Sequence, residues 1–188
     1  MDGHRIDKFL MLVRFHYQEV LGVIRDRGCE AEMIKEFMDV LYEECMWGLN
    51  VPIGIGMQCA DVFMEEIDKC FAHYDEFEFK QEAIEEMLDP FLKTMKFTHS
   101  NELFMRIKKK VFEKFISANG VSDGDEPEAQ TKVGYLKCFD IVPYAESKIF
   151  KVASSKETYE LHRDDIYEIY EKAAGKHESQ TEPKIPLA

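Results

Sequence analysis

Between Arg5 and Ile24 the apolar residues Ile6, Phe9, Leu10, Val13, Tyr17, Val20, Leu21 and Ile24 recur at spacings of three and four. An α-helix turns about 100° per residue, so this spacing gathers all eight on one stripe. The same period returns in the other long segments, no strand-like alternation of useful length appears, and only Tyr135 to Val142 is ambiguous, either a short extended segment or the start of the sixth helix. A chain patterned in this way is restricted to helices packed on helices. The expectation is an all-α fold of about seven helices in antiparallel pairs, an irregular helical-repeat-like stack or bundle.

The stops and starts can be placed. Gly28 ends the first helix, because glycine accepts the left-handed conformation found just past a helix end. A second helix covers about 31–47, with Met33, Ile34, Phe37, Met38, Leu41, Tyr42 and Cys45 inward, and a third about 55–73. The fourth, about 80–96, contains Pro90, which should kink it or split it in two. The fifth opens at Ser100, a good N-cap, and closes at Gly120. A sixth is expected from about Pro143 to Ala153. Ser154 and Glu157 have capping-box spacing and predict the start of a seventh there. Phe9, Val13, Phe63, Phe91, Ile107 and Phe115 should be buried. Residues 1–173 then form one helical domain carrying a mobile acidic loop at 120–132, and 174–188 form a disordered tail.

Composition narrows the function. Fourteen Phe and eight Tyr are ample for a core, while a formal net charge of −13 argues against the whole chain acting as an RNA clamp. The five cysteines are odd in number and none stand in CxxC spacing, which argues for reduced thiols in an intracellular protein and against a zinc site. His162-Arg163-Asp164 lacks the remaining kinase motifs, and Gly54-Ile55-Gly56 lacks the third glycine of a dinucleotide loop. Asp123-Gly124-Asp125 breaks EF-hand spacing. No nucleophile has an evident base, so no catalytic residue, metal ligand or cofactor is assigned.

Two charged stretches remain. Ten acids against Lys69 and Lys80 lie between Glu65 and Asp89. Most should form a solvated face, and Glu65, Glu66, Glu82, Glu85, Glu86 and Asp89 are the candidates for contact with a basic protein. The fifth helix carries the opposite charge. Arg106, Lys108, Lys109, Lys110 and Lys114 cluster within three turns, and such a face can contact RNA phosphates. An ordinary solvated face explains these residues somewhat better.

The segment Arg5–Arg14, RIDKFLMLVR, resembles a signature of the ribosomal RNA processing protein 1 family, which is Nop52-like. The resemblance extends in order along most of residues 5–172. Pro52, Gly54, Asp61, Glu65 and Glu66 fit a second family segment. Asp89-Pro90-Phe91-Leu92-Lys93 fits a third, and Arg106–Phe115 is similar to a fourth. The stretch 136–170 looks like the closing helices, with Ala153-Ser154-Ser155, Glu157-Thr158 and Tyr159-Glu160 ahead of Tyr167 and Tyr170. Gln58 stands where the family pattern has His.

The resemblance implies a non-catalytic assembly factor of the nucleus and nucleolus, supporting ribosomal RNA processing in precursors of the large ribosomal subunit. Its implied partners are large-subunit preribosome assembly factors and ribosomal proteins, with precursor ribosomal RNA as a further candidate, and no membrane or small-molecule substrate. Family domains usually have further helices before the Arg5 segment, so an apolar face of the first helix is expected to be uncovered. The reading from another class is a general helical protein–protein adaptor unrelated to the ribosome.

Overall fold

The computed structural model describes residues 3–47, 51–72, 79–121 and 133–175, with side chains from residue 7 onward. Seven helices carry the fold among these residues. Helix α1 is Gly3–Asp26. Helix α2 is Ala31–Leu41, continued by a π turn at Tyr42–Met46. Helices α3 and α4 are Ile53–Phe71 and Gln81–Phe97. Helix α5 runs through Asn101–Ile107, a π turn at Lys108–Phe112, and Glu113–Ala118. Helix α6 likewise joins Ile141–Tyr144, a π turn at Ala145–Ile149, and Phe150–Ser154. Helix α7 is Arg163–Ala173. The described residues contain no strand.

Most of the extensive packing joins alternate helices, and the consecutive pair α6 and α7 also packs closely. Helix α1 lies on α3, α3 on α5 and α5 on α7, while α2 lies on α4 and α4 on α6. The result is two layers, odd helices in one and even helices in the other, with each connection crossing between them. This is the construction of a helical-repeat stack. Among the described residues no helix is long and apolar enough to cross a membrane.

The terminators work as the sequence suggests. Gly28 has φ +78°, and Cys29 N–H donates to Ile24 O at 2.9 Å while Gly28 N–H donates to Arg25 O at 3.0 Å. Two such bonds satisfy carbonyls that the end of α1 would otherwise leave open. Gly120, at φ +79°, ends α5 in the same way, with Val121 N–H on Ile116 O. Ser100 caps α5, its Oγ accepting from Leu103 N–H at 3.2 Å.

Three expectations are corrected. Pro90 does not divide α4, which runs unbroken from Gln81 to Phe97 with Pro90 buried inside it. No helix begins at Ser154. That residue closes α6, Glu157 reaches across to Lys96 on α4 at 2.5 Å, and α7 starts only at Arg163 after a 3₁₀ turn at Glu160–His162. Helix α6 starts at Ile141 rather than Pro143, because Asp140 supplies the cap, its Oδ1 accepting from Val142 N–H at 3.1 Å.

Rings knit the core, with Phe63 on Phe91 at 4.6 Å, Phe71 on Phe79 at 4.5 Å and Phe115 on Phe139 at 5.2 Å between centroids. Phe63, Phe91, Ile107 and Phe115 are buried as expected, and Val13 is half-buried. Phe9 is 59% exposed, against expectation. Helix α1 packs on α3 and touches α2 through the rings of His16, Tyr17 and Phe37, and Phe9 lies away from both contacts. The loop at 120–132 and the tail at 174–188 fall almost wholly outside the described residues.

Candidate interaction surfaces

The five basic residues of α5 do not share one free face. Lys108 is the plainest case. From Phe104 to Phe115 the inward positions of α5 are 104, 107, 111, 112 and 115, and residue 108 lies among them. Its side chain is 7% exposed, and its ammonium donates to Asp165 and, at 2.5 Å, to Glu168, both on α7. Burial pulls the Lys108 pKa down, but these carboxylates outweigh it and leave it raised. The hydrogen bond from Lys108 holds the Glu168 carboxyl below its ordinary range.

Arg106 points back to α3, where Nη1 lies 3.1 Å from each Asp61 oxygen. Lys114 stands 4.0 Å from Glu65. Lys109 is exposed and Lys110 half-buried, and neither has an ion-pair partner among the described residues. The candidate RNA-contacting surface is therefore reduced to Lys109 and Lys110.

The acidic candidates separate in the same way. Glu66 lies on the buried stripe of α3, three residues after Phe63, and is itself buried. Arg14 and Lys69 pair with it at 3.0 and 2.7 Å, and Gln18 donates to its other oxygen at 2.8 Å. Glu65 pairs with Arg14 at 3.0 Å. Asp89 accepts from Lys148 of α6 at 2.8 Å, and Glu85 from Gln81 at 2.9 Å. Glu82 is exposed and Glu86 half-buried, and neither has an ion pair among the described residues. Gln58, half-buried on α3, donates to Leu10 O of α1 at 3.3 Å and serves the packing of the odd layer.

An apolar groove of about 350 Å³ lies where the end of α2 meets α3, α4 and α5, lined by Met46, Trp47, Ile53, Phe97, His99 and Leu103. Trp47 is stacked on Tyr42 at 6.1 Å and tilted against Phe97 at 5.5 Å. The sequence reading did not single this groove out. A lone tryptophan next to a Gly/Pro loop was the available signal. No group of three or more metal-ligating side chains converges among the described residues.

Almost all of this framework falls inside one family match. The model of the nucleolar protein Nop52 matches residues 1–180. The chain belongs to the Nop52 family. Among curated proteins it is similar to human ribosomal RNA processing protein 1 homolog B, 29% identical over 71% of this chain and 17% of that protein. It is 27% identical to human homolog A over 62% of this chain and 24% of the relative, and 25% identical to mouse homolog A over 62% and 23%. The chain thus spans less than a quarter of the length of these relatives. Within the Nop52 framework, every side chain discussed above lies on helices α1 to α7 or their connections.

Proposed function

We propose that this chain is a non-catalytic helical scaffold of the nucleolus that serves ribosomal RNA processing in precursors of the large ribosomal subunit. Membership of the Nop52 family across residues 1–180 carries the reading, and the names of the relatives supply the process. The architecture supports it, because a two-layer helical stack presents long surfaces to partners. The partners we assign are large-subunit assembly factors and ribosomal proteins, with precursor ribosomal RNA at the periphery.

Charge supports proteins as the main partners. The chain carries −13, and three of the five cations of α5 are taken up by Asp61, Asp165, Glu168 and Glu65 within the fold. Basic proteins are drawn to what remains on the acidic side, where Glu82 and Glu86 are the available carboxylates. RNA contact is left to Lys109 and Lys110, which act as point charges on phosphates.

The test is affinity purification of the tagged chain from nucleoli, with proteomics and sequencing of bound RNA. Large-subunit factors together with precursor ribosomal RNA are expected. Replacing Glu82 and Glu86 with Lys should reduce recovery of protein partners severalfold, and replacing Lys109 and Lys110 with Glu should lower only the RNA. Stable protein partners without any precursor RNA would favour the adaptor reading instead.

A further inference from the structure

Cys45 lies in the π turn that closes α2, and Cys59 lies in the second turn of α3. Gly56, one turn before Cys59 on the same face of α3, lets the two elements meet closely. A Cβ at position 56 would stand 3.4 Å from Cys45 O and 3.3 Å from a Leu103 methyl. The approach sets the two thiols against each other, side chain to side chain. Cys59 is fully buried, beside the buried Tyr17. Cys45 is half-buried and lines the apolar groove of about 350 Å³ next to Trp47. One sulfur is thus open to the groove, and the other is reached through it.

This pair differs from the other buried thiols. The Cys59 S–H stabilises the charged form of Cys45 and holds its pKa below the ordinary thiol value, against burial and Glu44, which act the other way. Burial pushes Cys29 up to about 12. It raises Cys70 as well, although Arg25 Nη1 lies 3.8 Å from that sulfur. The thiolate is the reactive form of cysteine, so a partly open thiol with a stabilised thiolate and a second sulfur in contact is arranged for oxidation and capture. The apolar walls disfavour charged reagents and admit small neutral ones.

We propose that Cys45 is a peroxide-reactive site, oxidised in the groove beside Trp47 and captured by Cys59 as a disulfide that ties the end of α2 to α3. In the first step the Cys45 sulfur attacks hydrogen peroxide. An S–O bond forms, the O–O bond breaks and hydroxide leaves, so the sulfur is oxidised to a sulfenic acid and the peroxide is reduced. In the second step the Cys59 sulfur attacks the Cys45 sulfur. The S–S bond forms, the S–O bond breaks, and the hydroxyl takes the Cys59 proton and leaves as water. A dithiol such as dithiothreitol returns the product to two thiols.

The experiment treats the whole folded chain with hydrogen peroxide, blocks the remaining thiols with iodoacetamide, and reads intact mass and peptide maps. The wild type should yield a cross-linked peptide pair holding Cys45 and Cys59. Emission from Trp47, the one tryptophan of the chain, should change with it and recover in dithiothreitol. In C59S, with a wild-type circular dichroism spectrum, the sulfenic acid has no sulfur to capture it, so dimedone should tag Cys45. That tagging should be about tenfold faster than tagging of the exposed Cys138. C45S should leave Cys59 reduced. A wild type in which Cys138 is oxidised while Cys45 stays a thiol overturns the proposal. So does a Cys45 sulfenic acid that persists in the wild type, or a Cys45–Cys59 bond that forms only in urea, because either shows that the two sulfurs do not meet in the fold.

Discussion

Replacing Lys108 with Met tests the lock between α5 and α7. The side chains are similar in length, so packing is kept while the charge is removed. Two charge-assisted hydrogen bonds disappear, those to Asp165 and Glu168. In a fully buried setting, losing one partner of such a cluster costs about 3–5 kcal/mol. Here the carboxylates are 35% and 47% exposed and keep water on one side, so each bond is screened to about 1 kcal/mol. The expected loss is therefore about 2 kcal/mol, or a fall in Tm of about 4–8 °C for a chain of this size.

The pH profile supplies a second reading. The folded pKa of Glu168 is depressed. Its stabilising contribution is therefore present above its unfolded pKa, near 4.5, and is lost as pH falls through the folded value. The gap between wild type and Lys108→Met should stay constant near neutral pH and close in acid. Urea denaturation at a series of pH values measures both quantities. A loss below about 0.5 kcal/mol, or a gap that persists at pH 2, would show that the charge of Lys108 does not hold α7.

Gly28→Ala forces a Cβ into φ +78° and should cost about 1 kcal/mol, whereas Gly22→Ala inside α1 should be neutral or add up to about 1 kcal/mol; chemical denaturation distinguishes the two. Phe115→Ala should lose about 3–5 kcal/mol, since the ring is buried against Phe139, and a loss under 1 kcal/mol would place it at the surface. His162 is stacked on Phe104 at 3.8 Å, and burial lowers its pKa below the ordinary 6.5. The unfolded chain takes up that proton first, so stability should fall as pH drops below 6.5 until His162 itself protonates, and His162→Phe should remove that step from the pH–stability curve.

The helices were legible because their signals are local. Gly28, Gly120 and Ser100 act through hydrogen bonds to neighbouring residues, and the three-and-four period records which side of a helix is buried. What escaped was set by contacts distant in sequence. The Ser154–Glu157 pair has the spacing of a cap, but Lys96 of α4 takes Glu157, and Tyr159 N–H donates to Lys96 O. Phe9 belongs to the apolar stripe, yet it is left largely exposed among the described residues. Lys108 and Glu66 were readable, since each sits at an inward position. A charge at an inward position is compatible with burial when partners on a neighbouring helix neutralise it. The π turns in α2, α5 and α6 each add a residue to a helical turn, and no spacing rule based on 3.6 anticipates them.

The two layers and the ion pairs have a common logic. Lys114 and Arg14 reach Glu65, Arg106 reaches Asp61, and Lys108 reaches Asp165 and Glu168, all between odd helices. Lys93 reaches Asp39 and Lys148 reaches Asp89 between even ones. The cations are thus used to bind neighbours within a layer, along the direction in which the stack grows. A charge used in this way is neutralised over the few ångströms that matter, since fields from surface charges fade within about 8 Å at physiological salt. The remaining field comes from acids without such partners, Glu82 and Glu86 among them. A basic protein approaching that side encounters a net negative surface. RNA approaching α5 encounters Lys109 and Lys110 with Glu113 nearby, so its attraction is local and weak, and its salt dependence should be flatter than that of a dedicated RNA-binding face, because fewer counterions are released.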